Sequence, residues 1–115
     1  MTFPLTGGLI LEGMTRIAIR YFEGCPHWRL ADARVRQALR AVGLNATVEY
    51  DAVQTHEDAV RTGFRGSPTI LVDGADPWAD GEAPVGLSCR IYHTEEGPQG
   101  APTVRELEAV LSRRS

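Results

Sequence analysis

The chain of 115 residues contains no lysine: all twelve of its basic residues are arginine. That absence excludes Schiff-base chemistry on a lysine amine. Cysteine is scarce, with two residues, Cys25 and Cys89, too few for a disulfide-built scaffold. No apolar run approaches the ~20 residues needed to span a bilayer. The opening "MTFPLTGGLILEGM" has no basic n-region, and its apolar stretch is short for a signal peptide. There is no excess of positive charge either. The net charge is −3, which gives no electrostatic case for nucleic acid or an anionic membrane. The four arginines of "WRLADARVRQALR" read as a solvated helix face, with Asp32 four residues before Arg36.

What is present is ordinary for one globular domain. Hydrophobic residues make up 43 % and charged residues 23 %, and the length allows a single core. Residues 1–13 read as an upstream or disordered N-terminal extension, with an edge segment packed on the domain as the alternative. Residues 14–115 read as the domain, and the chain as cytoplasmic. Two cysteines in that compartment are expected to rest as reduced thiols. The sequence names no oligomeric state.

"TRIAIRYF" (15–22), with Ile17, Ile19 and Tyr21 alternating, predicts a strand. Gly24 breaks it, Cys25 takes the N-cap or first turn, and Pro26 suits the first helical position. Apolar residues at 28, 31, 35, 38, 39 and 42 then form one helix face, ended by Gly43. "NATVEYDAV" (45–53) predicts a second strand. Thr55 to Asp58 open a short helix closed by Gly63. Thr69–Val72 follows as a third strand, then an Asp73-Gly74 turn and a long irregular loop over 75–88. "CRIYHT" (89–94) predicts a fourth strand, "EEGPQGAP" a turn, and Thr103 to Glu106 a capping box opening the last helix. The order is β-α-β-α-β-β-α. It predicts an α/β fold with a four-stranded mixed sheet and helices on both faces.

The stretch Gly24-Cys25-Pro26-His27-Trp28 places a thiol at the mouth of a helix. Unpaired N–H groups and the helix dipole there favour a thiolate, and His27 and Arg29 could add to the effect. Cys25 is thus the candidate nucleophile and His27 its candidate activator. The plainer alternative is an inert cysteine at a helix cap. A second cysteine at the fourth position would make a C-x-x-C pair, but Trp28 stands there. Cys89 is expected far from Cys25, as a small core residue: strand three leaves the Pro68 end, and strand four should begin at the opposite end. A fold-back of the 75–88 loop is the one route to contact. Cys25 with His27, and Cys89 with His93, match no zinc spacing, and the two pairs are expected apart, so no metal or cofactor is expected. Trp28 is expected under the helix start. Trp78 is read either as a wall beside the thiol or as a pin for its loop.

The element order, with Cys25-Pro26-His27 after strand one and Ser67-Pro68-Thr69 before strand three, resembles the thioredoxin-like proteins over about residues 14 to 113. The chain is most similar to small bacterial members with a Gly-Cys-Pro-His-Trp start, a Gly-Phe-Arg-Gly-Ser-Pro-Thr segment and a late Cys-Arg-Ile-Tyr. Some of these carry the name alkylmercury lyase. The resemblance implies a cis Ser67–Pro68 bond facing Cys25, with the Ser67 backbone open to β-type pairing with a substrate. It implies Pro26, Trp28, Ser67, Pro68 and Trp78 as substrate-contacting residues. The implied activity is single-cysteine thiol–disulfide exchange: Cys25 attacks a disulfide-containing protein or is itself capped by a low-molecular-weight thiol, and an external thiol resolves the adduct. A binding module without catalysis and a handler of organomercurials or soft metals are the alternatives.

Overall fold

The computed structural model describes residues 14–79, 81 and 83–114. The expected N-terminal extension, 1–13, lies outside the described residues. Among the described residues, five strands and three helices follow one another: β1 (Thr15–Tyr21), α1 (His27–Val42), β2 (Ala46–Ala52), α2 (His56–Thr62), β3 (Thr69–Val72), β4 (Tyr92–Thr94), β5 (Gly97–Gln99) and α3 (Val104–Ser112). No helix among the described residues is long and apolar enough to cross a membrane.

The fold is mixed α/β. Strand β1 is central in a three-stranded sheet of order β2-β1-β3, parallel to β2 and antiparallel to β3. The pairing aligns Ile19 with Tyr50 on one side and with Ile70 on the other. Among the described residues this sheet has three strands and not the four expected. Strand β4 pairs instead with β5, where a plain turn was expected, in a separate two-stranded ribbon. Of the expected fourth strand, residues 92–94 enter this ribbon, while Cys89 forms an isolated bridge to Ser67.

Period-two alternation puts Ile17 and Ile19 on the buried face of β1. Ile17, Ile70 and Val72 meet Ala31, Val35 and Ala38 of α1 and Leu107 and Leu111 of α3 in one core. Both long helices therefore cover the same face of the sheet. The other face carries Arg16 paired with Glu49 at 3.2 Å and Arg20 with Asp51 at 3.6 Å. The short helix α2 lines a cleft, through Asp58, Arg61 and Thr62, with Arg20 and Asp51 of that face. Its Ala59 joins Val53 and Phe64 in a second small core.

The helix ends follow the local chemistry. Gly43 and Gly63 take left-handed conformations after α1 and α2, with φ of 70° and 69°. Thr55 Oγ1 accepts from the Asp58 N–H, and Thr103 forms a reciprocal capping box with Glu106.

Candidate functional site

The site begins where β1 runs out. The Cys25 N–H donates to the Phe22 carbonyl at 2.9 Å, turning the chain sharply. Gly24 permits the turn: a Cβ there would lie 2.7 Å from the Phe22 ring. Pro26 is the N-cap, one position earlier than expected, so Cys25 stands just before α1 and not inside its first turn. Cys25 has no exposed surface, and its Sγ lies 3.5 Å from the Ser67 carbonyl oxygen. The Ser67–Pro68 bond is cis. Two contacts fix this bend. Ser67 Oγ accepts from the Phe22 N–H at 3.0 Å, and the Tyr92 hydroxyl donates to the Pro68 carbonyl at 2.6 Å. Burial pushes the Tyr92 phenol well above its ordinary range.

Cys89 is not remote. Its Cα is 5.7 Å from that of Cys25, and the two are joined as a disulfide rather than resting as free thiols. The expected strand path failed because the 75–88 loop folds back to the Pro68 end before β4 begins. Tertiary contacts hold it there. Arg90 pairs with Asp76 at 2.7 Å, with only 8 % and 18 % of the two side chains exposed. Arg90 also donates to the Trp78 carbonyl, and its guanidinium lies 4.5 Å over the Tyr92 ring. Arg65 donates to the Ala83 carbonyl, and the Gly86 N–H to the Phe64 carbonyl at 3.1 Å. Val85 and Leu87 pack on the second core.

The returning segment occupies the edge that the resemblance left open to substrate. The Ser67 N–H donates to the Ser88 carbonyl and the Arg90 N–H donates to the Ser67 carbonyl, both at 2.8 Å. Ser67 and Cys89 thus form a parallel bridge. Gly66 makes the approach possible. Its φ is 120°, and a Cβ would sit 2.9 Å from Arg90 Cβ. Ser67 and Pro68 are fully buried, so neither is free to meet a substrate in this state.

His27 is half-buried and packs on Gly100, where a Cβ would lie 2.5 Å from the ring. Its Nδ1 is buried without a hydrogen-bond partner. One ligand atom each from Cys25, His27 and Cys89 lie within 4.8 Å of one another. The expectation that the two cysteine–histidine pairs lie apart therefore fails for Cys25, His27 and Cys89. With the sulfurs reduced, these three could hold a soft cation. No carboxylate belongs to the cluster among the described residues. Asp32 instead accepts from Tyr50 and Arg36, and Glu23 pairs with Arg29.

Trp28 stacks on Tyr21 with ring centroids 4.4 Å apart, meets Tyr50 edge-on and carries the Arg29 guanidinium 4.7 Å above its ring. It belongs to an aromatic pile on the β1–β2 side. Trp78 packs at the margin of the main core and edge-on to Tyr92 at 6.1 Å, which pins its loop, and it lines a cleft. That cleft, about 530 Å³, is also bordered by Arg65, Cys89, Ile91, Tyr92 and His93. Cys89 is exposed. Pro26 is exposed at the helix mouth.

Sequence reasoning gave no role to Asp76, Arg90, Tyr92 or Gly100. The one signal for the first two was a lone arginine between the cysteine and the apolar pair Ile91-Tyr92, with acids in the preceding loop. Comparison with protein families, curated proteins and solved structures finds no match to this chain.

Proposed function

We propose that this protein is a thiol–disulfide oxidoreductase of thioredoxin-like type, with Cys25 and Cys89 as its redox couple. The observation that carries the reading is the meeting of two cysteines, 64 residues apart in sequence, at one helix mouth, one buried and the other exposed. Two further features support it. The β2-β1-β3 order has one parallel and one antiparallel neighbour for β1, and a cis bond precedes Pro68 beside Cys25. With two cysteines in contact, the resolving thiol that a one-cysteine site would need from outside lies within the chain. The reduced dithiol and a disulfide RSSR give the protein disulfide and two RSH. Two electrons pass from the protein sulfurs to the substrate sulfurs, and each RS⁻ released takes up one thiol proton. In the cytoplasm, where we place it, such a couple cycles with the thiol pool.

The test is turnover. The full-length protein should accelerate reduction of hydroxyethyl disulfide by excess glutathione. Cys25→Ser and Cys89→Ser should each lower that rate at least tenfold. A wild-type rate equal to the buffer rate, or full activity in Cys25→Ser, would contradict the reading.

A second reading, soft-metal handling, is favoured by the Cys25, His27 and Cys89 cluster. Two thiolates and an imidazole suit a soft d¹⁰ cation. Carbon–mercury cleavage would also require a proton donor, and no carboxylate stands in the cluster among the described residues. Tight binding of inorganic mercury without release from an organomercurial would mark this reading. The binding-module reading has less support, because the chain's own residues 88–90 fill the Ser67 edge.

A further inference from the structure

The two sulfurs of the couple do not have equal access, and the edge beside them is already filled. From this we infer that Cys89 is the sulfur that exchanges with substrate, and that the substrate is a small thiol or its disulfide rather than an extended polypeptide. The inference rests on the oxidoreductase reading above and specifies its entry point.

Thiolate attack on a disulfide runs along the S–S axis, from behind the sulfur that is attacked, so access behind each sulfur decides the route. Behind Cys25 there is no open path: the residue has no exposed surface and its sulfur abuts the Ser67 carbonyl. Cys89 is exposed and borders the cleft shared with Trp78, Ile91 and His93. At about 530 Å³ this cleft is within the usual range for small-molecule sites. An incoming thiolate RS⁻ forms a bond to the Cys89 sulfur, and the Cys25–Cys89 bond breaks. Its electron pair leaves on Cys25, next to the α1 N-terminus, where the unpaired N–H groups favour negative charge. A second RS⁻ attacks the RS sulfur of the mixed disulfide, releasing RSSR and the Cys89 thiolate. Both protein thiolates can then take protons from solvent. Run backwards, Cys89 attacks RSSR, and Cys25 closes the protein disulfide by expelling RS⁻. Cys25 remains a nucleophile, but toward the Cys89 adduct.

The size limit comes from the backbone. A polypeptide substrate would have to pair at Ser67, and both Ser67 groups are bonded to Ser88 and Arg90. The docked segment therefore holds the position of a substrate strand, with Cys89 at the place of the substrate's sulfur. A small thiol needs none of these bonds.

The experiment uses the oxidised full-length protein mixed with reduced glutathione. Samples are quenched in acid over time, and the adduct is mapped by peptide mass spectrometry. Glutathione should appear on Cys89 at least tenfold more than on Cys25. The reduced protein should also react with hydroxyethyl disulfide at least a hundredfold faster than with a disulfide-linked unfolded polypeptide, each rate divided by that of free glutathione with the same disulfide. An adduct chiefly on Cys25, or equal relative rates for the two disulfides, overturns this inference while exchange itself stands. No exchange with either probe removes the oxidoreductase reading and the inference with it.

Discussion

Replacing Gly66 with alanine should detach the segment that carries Cys89. A Cβ at this position would stand 2.9 Å from Arg90 Cβ, 3.1 Å from its Cα and 3.2 Å from its N. Two of these contacts are with backbone, so a rotamer change cannot relieve them. The φ of 120° adds strain that a non-glycine residue bears at roughly 1–2 kcal/mol. If Arg90 moves away, the hydrogen bonds between Ser67 and residues 88 and 90 are lost. At about 1 kcal/mol each, that is about 2 kcal/mol. The sum is about 3–4 kcal/mol, a large share of a small domain's ~5–15 kcal/mol. Urea unfolding of the reduced protein should show it as a lower midpoint. Closure of the Cys25–Cys89 bond should weaken too. Docking worth about 2 kcal/mol corresponds to roughly a thirtyfold smaller closure constant, read by equilibration against a glutathione buffer. A Gly66→Ala protein within about 0.5 kcal/mol of wild type, with unchanged closure, would refute the claim that this approach positions Cys89.

Tyr92→Phe leaves the buried Pro68 carbonyl without its donor and should cost about 1–2 kcal/mol in denaturant unfolding. It should also change the alkaline limb of stability. The folded-state pKa of Tyr92 is raised, so its contribution is whole below the unfolded tyrosine value near 10 and is lost as pH rises above it. The variant should lose less stability than wild type between about pH 10 and 11. A limb of equal slope in both proteins would count against a buried neutral phenol. Asp76→Asn keeps the shape of the side chain but leaves the Arg90 guanidinium, 8 % exposed, without its counter-charge. A cost of about 3 kcal/mol is expected in thermal or denaturant unfolding, and a change below about 0.5 kcal/mol would mean the pair does not hold the loop.

Local chemistry made most of the chain legible. Alternation at Ile17 and Ile19, the glycines after α1 and α2, and the Thr103–Glu106 box each act within a few residues, and β1, α1, α2 and α3 form where these signals place them. Cys25, His27 and the Ser67–Pro68 bend do meet at the α1 mouth, and the bond is cis. The position of Cys89 was not legible, because it depends on contacts between distant residues. The Asp76–Arg90 pair, the Arg65 bond to Ala83, and the packing of Val85 and Leu87 decide where the loop turns back. None of these has a periodicity. Ser88 to Arg90 then bridge to Ser67, and this displaces the expected fourth strand into the β4–β5 ribbon. Arg29 illustrates the same limit in reverse: sequence proximity suggested help for the thiol, yet its guanidinium lies over Trp28.

The most direct test of the account is the oxidation state of the two cysteines in the full-length protein. The protein is equilibrated across a graded series of reduced and oxidised glutathione, quenched in acid and weighed intact. A single transition, with a loss of two hydrogens as Cys25 and Cys89 close on each other and little glutathione retained, is the result expected of a couple. Separate glutathione adducts on the two cysteines, with no internal bond across the series, would contradict it.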